Sequence, residues 1–86
     1  MTLFVAGATP RSARARADVE RMCHRFLEPG QWRIEVVDVL ARPDLAKAND
    51  VLVVPAVVWR NAVHRKVIGD FSDIERLASA LAIPMR

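Results

Sequence analysis

One cysteine, Cys23, stands in the 86 residues of this chain, so no intramolecular disulfide can staple it, which fits a reducing compartment. No apolar run approaches the ~18 residues of a membrane span. Ahead of the first strand-like segment there is no basic and apolar leader, so the expected location is the cytoplasm. Internal repeats, low-complexity tracts and linker-like stretches are missing as well. A chain of this length holds one domain, residues 1–86, around one modest core.

What remains is an ordinary globular composition, 52% hydrophobic and 27% charged, with a formal net charge of +3. Much of the basic excess falls in one segment, at Arg11, Arg14, Arg16, Arg21 and Arg25. Asp18 lies four residues after Arg14 and three before Arg21, and Glu20 lies four after Arg16 and four before His24. Acid and base at these spacings meet on a helix and form a solvated, ion-paired face. A nucleic-acid surface would instead gather the cations beside stacking aromatics, so nucleic acid is disfavoured as a partner.

The hydrophobic period switches between two and 3.6 along the chain. Residues 2–6 are almost wholly apolar, like a central strand buried on both faces. From Pro10 to about Leu27, Ala15, Val19, Met22 and Phe26 recur at helical spacing, with Thr9 as N-cap and Pro10 in the first turn, where its missing N–H removes nothing. After Pro29 and Gly30, Trp32, Ile34 and Val36 alternate with Arg33 and Glu35, which predicts a second strand running to Val39 or Leu40. A short helix over about 44–49 follows, with Leu45 and Ala48 on its inward side. Pro55 cannot donate to a ladder, so it begins the next strand, Ala56 to Trp59, rather than interrupting it. Asn61 and Ala62 suit a hairpin turn, and Lys66, Val67 and Ile68 return as the last strand. Ser72, Asp73, Ile74 and Glu75 read as a capping box with Ser72 as the cap, opening a helix whose buried stripe is Ile74, Leu77, Ala78 and Leu81.

The order is βαβαββα. A parallel pair joined by a long helix, followed by a close antiparallel pair, gives an α/β fold with a four-stranded mixed sheet flanked by helices on both faces. That is the thioredoxin-like arrangement.

In such folds the turn from first strand to first helix carries two cysteines, because a helix N-terminus lowers a thiol's pKa. Here Thr9 and Ser12 occupy those positions. Hydroxyls cannot exchange disulfides, so a thioredoxin-like redox enzyme is disfavoured.

Several segments together resemble the KaiB family of circadian-clock proteins. They are residues 3–12 (LFVAGATPRS), residues 37–40 (VDVL) followed by 43–46 (PDLA), Pro55, and residues 68–73 (IGDFSD). The likeness spans essentially the whole chain. It implies a protein without enzymatic activity or cofactor that binds a KaiC-type ATPase, in a clock or in related signalling such as a stress response. It also implies a homo-oligomer and an exchange between a resting fold and a thioredoxin-like, binding-competent one. A KaiB-like sensor module of a histidine kinase is a further alternative. Between Pro55 and Ile68 the family usually carries a longer, proline-rich segment; the compact segment here favours a hairpin and hence the thioredoxin-like form at rest.

The resemblance places a basic residue at Arg14, within residues 12–15 (SARA), as a contact to the partner. Trp59, near the hairpin tip, is the second partner-binding candidate. Gly7 and Gly69 are expected to serve backbone geometry, and Asp70, Ser72 and Asp73 belong to the segment that would set the balance between folds. The bond between Val54 and Pro55 is expected to be cis, as thioredoxin-like folds have it. Cys23 and His24 are adjacent on a helix, point about 100° apart and make no metal-ligand spacing. Cys23 reads as a small buried hydrophobe, and Asp38 and Asp70 as strand-end and turn residues without catalytic work.

Overall fold

A computed structural model describes residues 1–60 and 64–84. The elements are β1 (Thr2–Val5), α1 (Pro10–Phe26), β2 (Glu35–Asp38), α2 (Pro43–Ala48), β3 (Ala56–Arg60), β4 (His64–Ile68) and α3 (Ile74–Ala80). They build the thioredoxin-like α/β fold expected from the sequence. The sheet has the order β2-β1-β3-β4, with β1 and β2 parallel and the other two pairings antiparallel. The expected Asn61–Ala62 turn lies outside the described residues.

Because β1 is paired on both edges, its side chains alternate into two cores. Leu3 and Val5 enter the larger one, formed with Val19, Met22 and Phe26 of α1, Leu77 and Ala78 of α3, and Phe71. Phe4 enters the smaller one with Val37, Val51, Ala56 and Val58, against which Leu45 and Ala46 of α2 pack. Thus α1 and α3 cover one face of the sheet, and six-residue α2 covers part of the other.

Local corrections have physical reasons. β2 begins at Glu35, since that is where pairing with Thr2 starts; Trp32 and Ile34 precede it but still pack on the larger core. The Met1 amine donates to the Arg33 carbonyl at 2.7 Å and fixes this entry. α2 starts one residue early, at Pro43, and its inward residues are Leu45 and Ala46, which pack on the smaller core, whereas Ala48 is exposed. β3 starts at Ala56 directly after Pro55, as expected, and the bond between Val54 and Pro55 is cis.

Ser72 is not the cap of the last helix. Asp73 is, its Oδ1 accepting from the Arg76 N–H at 3.1 Å. The Ser72 N–H is instead taken by Asp70 Oδ1 at 2.8 Å, which draws Ser72 back into the preceding turn and shifts the cap by one residue. The reciprocal box with Glu75 is therefore not formed, although Glu75 still faces the helix N-terminus favourably.

Asp73→Ala is accordingly expected to cost about 1 kcal/mol of stability, and Ser72→Ala less than about 0.5 kcal/mol. Urea unfolding of both variants checks this; an equal or reversed order would restore Ser72 as the cap.

Candidate functional site

The carboxyl end of β1 collects the segments quoted above. Gly7 has φ +71° and turns the chain towards α1, and the space beside it would admit a Cβ, 3.7 Å from Leu40 Cδ1. Its requirement is therefore the left-handed backbone, not close approach. Gly69, at φ +105°, is the same case, and its N–H reaches the Pro55 carbonyl at 3.1 Å.

Asp38, at the end of β2, holds this corner together. Its Oδ1 accepts from the Gly7 N–H at 3.0 Å and the Leu40 N–H at 2.9 Å. Those bonds, Gly7 first, hold its carboxyl below the ordinary carboxylate range. Asp38 and Asp70 do not form a carboxylate pair: Asp70 is turned to Ser72, whose N–H and hydroxyl lower its pKa, with Arg14 adding a smaller push.

Thr9 caps α1 by accepting from the Ser12 N–H at 3.1 Å, and its hydroxyl donates to Ser12 Oγ at 3.0 Å. The two positions that would carry a dithiol are thus spent on a helix cap. Cys23 is buried in the larger core, and burial pushes its thiol up to about 11, outweighing the opposing N-terminal charge. Its thiol donates to the Met1 thioether at 3.7 Å. Among the described residues no group of His, Cys, Asp and Glu could hold a metal ion.

Around the cap lies an open cleft of about 560 Å³, lined by Arg11, Arg14, Pro55, Gly69, Asp70 and Phe71 among others. On α1 the expected ion pairs Arg16–Glu20 and Asp18–Arg21 form, both at 3.0 Å. Arg14 makes no ion pair within 4.0 Å among the described residues, and its charge faces the cleft. Beside the cleft the segment entering Pro55 leaves Leu52 93% and Val53 53% exposed, and Leu40 is 73% exposed across the corner. The sequence reading missed these three residues. The signal was the apolar run 51–54, of which Val51 is buried and Val54 packs on the smaller core while Leu52 and Val53 face outward. Trp59 is not part of this corner: it sits four residues along from Pro55, half-buried against the larger core.

A thioredoxin-like scaffold whose redox turn holds a hydroxyl cap, and whose one thiol is buried, defines a protein of this fold built without dithiol chemistry. The KaiB domain model matches residues 2–83, so the chain belongs to the KaiB family. It is 37% identical to the "Circadian clock oscillator protein KaiB" of Nostoc punctiforme over 94% of this chain and 78% of that protein. Against the protein of the same name from Acaryochloris marina it is 39% identical with the same coverage. With the "Circadian clock protein KaiB3" of a Synechocystis species it shares 30% over 96% of this chain and 81% of that one. No helix among the described residues is long and apolar enough to cross a membrane.

Two outcomes test the chemistry of this corner. In the native protein at about pH 8, Cys23 should resist a disulfide reagent such as dithionitrobenzoate and react fully once unfolded; rapid native labelling would contradict its burial. The second concerns acid. A carboxyl whose folded pKa is depressed contributes stability above its unfolded value, 3.8, that is lost as pH falls through the folded one. Asp38→Ala should therefore unfold more readily at pH 7, while losing less further stability than wild type when acidified below about pH 4. Parallel pH profiles for the two proteins would remove the clamp.

Proposed function

We propose that this protein is a regulator without enzymatic activity that docks on a KaiC-type ATPase through the corner formed by Arg14, Leu40, Leu52 and Val53. The observation that supports this reading is that Leu40, Leu52 and Val53 stand exposed on the segments that follow β2 and enter Pro55, while Arg14, with no ion pair within 4.0 Å among the described residues, lines the cleft that Pro55 also lines. Three large apolar side chains in water at one corner contribute nothing to folding. They become favourable when a partner covers them, at about 25 cal/mol per Å² of apolar surface removed from water. Arg14 gives such contacts direction, because an arginine beside a covered apolar patch meets a carboxylate or carbonyl under partial desolvation. The relatives named as clock proteins make a clock or related signalling pathway the setting.

Gly7, Thr9, Pro10, Pro55, Gly69, Asp70 and Asp73 act in this reading by holding the corner's backbone, and Asp73 takes the role expected of Ser72. Docking alters the partner's activity through contact alone.

Titrating the KaiC homologue from the same organism should show binding by the wild type, weakened by roughly 1 to 3 kcal/mol in Arg14→Ala. Leu52→Ser should weaken it with no loss of stability, since the side chain is exposed in the free protein. Absence of wild-type binding after hours of incubation would overturn the reading.

A further inference from the structure

A second surface lies on the opposite face of the sheet from α1. The pairing register lays its residues out in rows. Glu35, Thr2, Val58 and Lys66 form one row, Val37, Phe4, Ala56 and Ile68 the next, and Arg60 and His64 stand opposite each other beyond them. The smaller core, with α2, covers the β1 and β3 parts of these rows. It leaves β4 bare: His64 and Lys66 are exposed, and Ile68 is 46% exposed. β4 is also an edge strand, paired with β3 alone.

Two of the cations here are held in place by neutral groups. The Arg60 guanidinium donates to Asn49 Oδ1, and Lys66 Nζ donates to the Asp50 carbonyl at 2.6 Å. Asp50 presents that carbonyl from a left-handed turn, φ +54°, at the end of α2. Such bonds orient the charges without cancelling them. Among the described residues none of Arg60, His64 and Lys66 has a carboxylate within 4.0 Å.

We propose that this bare face and the free edge of β4 take an extended acidic segment of a partner protein. Along a strand, His64, Lys66 and Ile68 recur on one side about every 6.8 Å, the repeat of alternate side chains in a partner strand. Carboxylates at alternate positions, followed by an apolar residue, match that row. The unpaired backbone groups of β4 supply the ladder. Lysine on an edge strand also discourages self-pairing, but protection alone gives no role to the exposed Ile68 at the end of the row. Nucleic acid fits less well. Phe4, Phe26 and Phe71 are buried and Trp32 and Trp59 pack on the larger core, so among the described residues the one aromatic ring exposed on this face is the His64 imidazole, too little for a run of stacked bases. The row adjoins the Arg14 corner, since Ile68 precedes the Gly69 that lines the cleft, but shares none of its residues, and the peptide titration uses the protein without an ATPase.

The probe is a short fluorescein-labelled peptide of alternating Glu and Thr, followed by anisotropy at low salt. Saturable binding that weakens as salt rises is expected, together with a roughly tenfold or greater loss in the double variant His64→Glu, Lys66→Glu. Circular dichroism checks that the double variant is folded. His64→Glu alone, at an exposed side chain, should lower affinity severalfold if the double variant unfolds. Arg76→Gln on α3 removes one charge elsewhere and should leave binding unchanged, which separates a site from net charge. No saturable binding by the wild type, an equal effect of Arg76→Gln, or tighter binding of a thymidine oligonucleotide of the same charge would overturn the proposal.

Discussion

Burial of β1 on both faces is the constraint from which the remaining structure follows. Leu3 and Val5 point one way and Phe4 the other, and all three are buried. A strand of this kind needs a neighbour on each edge and a cover on each side, since its N–H and C=O groups have no access to water and its side chains gain only when covered. β2 and β3 supply the edges. The seventeen residues of α1, helped by α3, cover one side generously, and α2 with the segment after it covers the other sparingly. The asymmetry of the two covers decides where the protein has surface to spare.

The first half of this arrangement was legible in the sequence, because continuous apolar character over 2–6 and a helical stripe through Ala15, Val19, Met22 and Phe26 are strong signals with one reading each. Thr9 as a cap and Pro55 at the head of a strand followed from what a hydroxyl and a missing N–H can do. Ser72 against Asp73 was less decidable. Both residue types cap helices well, and the choice fell to a turn in which Asp70 claims the Ser72 N–H. A local rule cannot see that competition when two capping residues are adjacent. The inward face of α2 was not decidable from pattern: in a six-residue helix Leu45 has apolar neighbours at both Ala46 and Ala48, and packing against the smaller core selects Ala46.

The Arg14 corner was legible only in part. Residue types at the redox turn exclude thiol exchange without any coordinates, and the resemblance singled out Arg14. What pattern could not show was Asp38 joining Gly7 to Leu40, because that bond links residues 31 positions apart in the chain. Cys23, by contrast, reads as a buried hydrophobe from its place on the helix, and its raised pKa agrees. A helix N-terminus would have lowered it, but Cys23 lies near the other end of α1 and inside the core, where desolvation prevails.

The run from Val51 to Val54 shows how topology, more than composition, creates an interaction surface. Its residues have the character of a strand, and by propensity alone they would join the sheet. They do not, because the chain must travel from the end of α2 to Pro55, at the head of β3 in the middle of the sheet, in a few residues, and β2 and β3 already occupy both edges of β1 there. Val51 is tucked into the smaller core and Val54 packs at its margin, so the two residues between them have nowhere to go but outward. The same shortage of cover leaves β4 bare on that face. A six-residue helix cannot shield four strands, and the parts it does not reach are the exposed apolar residues before Pro55 and the basic row of β4. Lengthening α2 would bury more of the sheet and close off those surfaces together. In a fold whose redox turn has become a helix cap, the thin cover on this side leaves the protein its means of meeting partners.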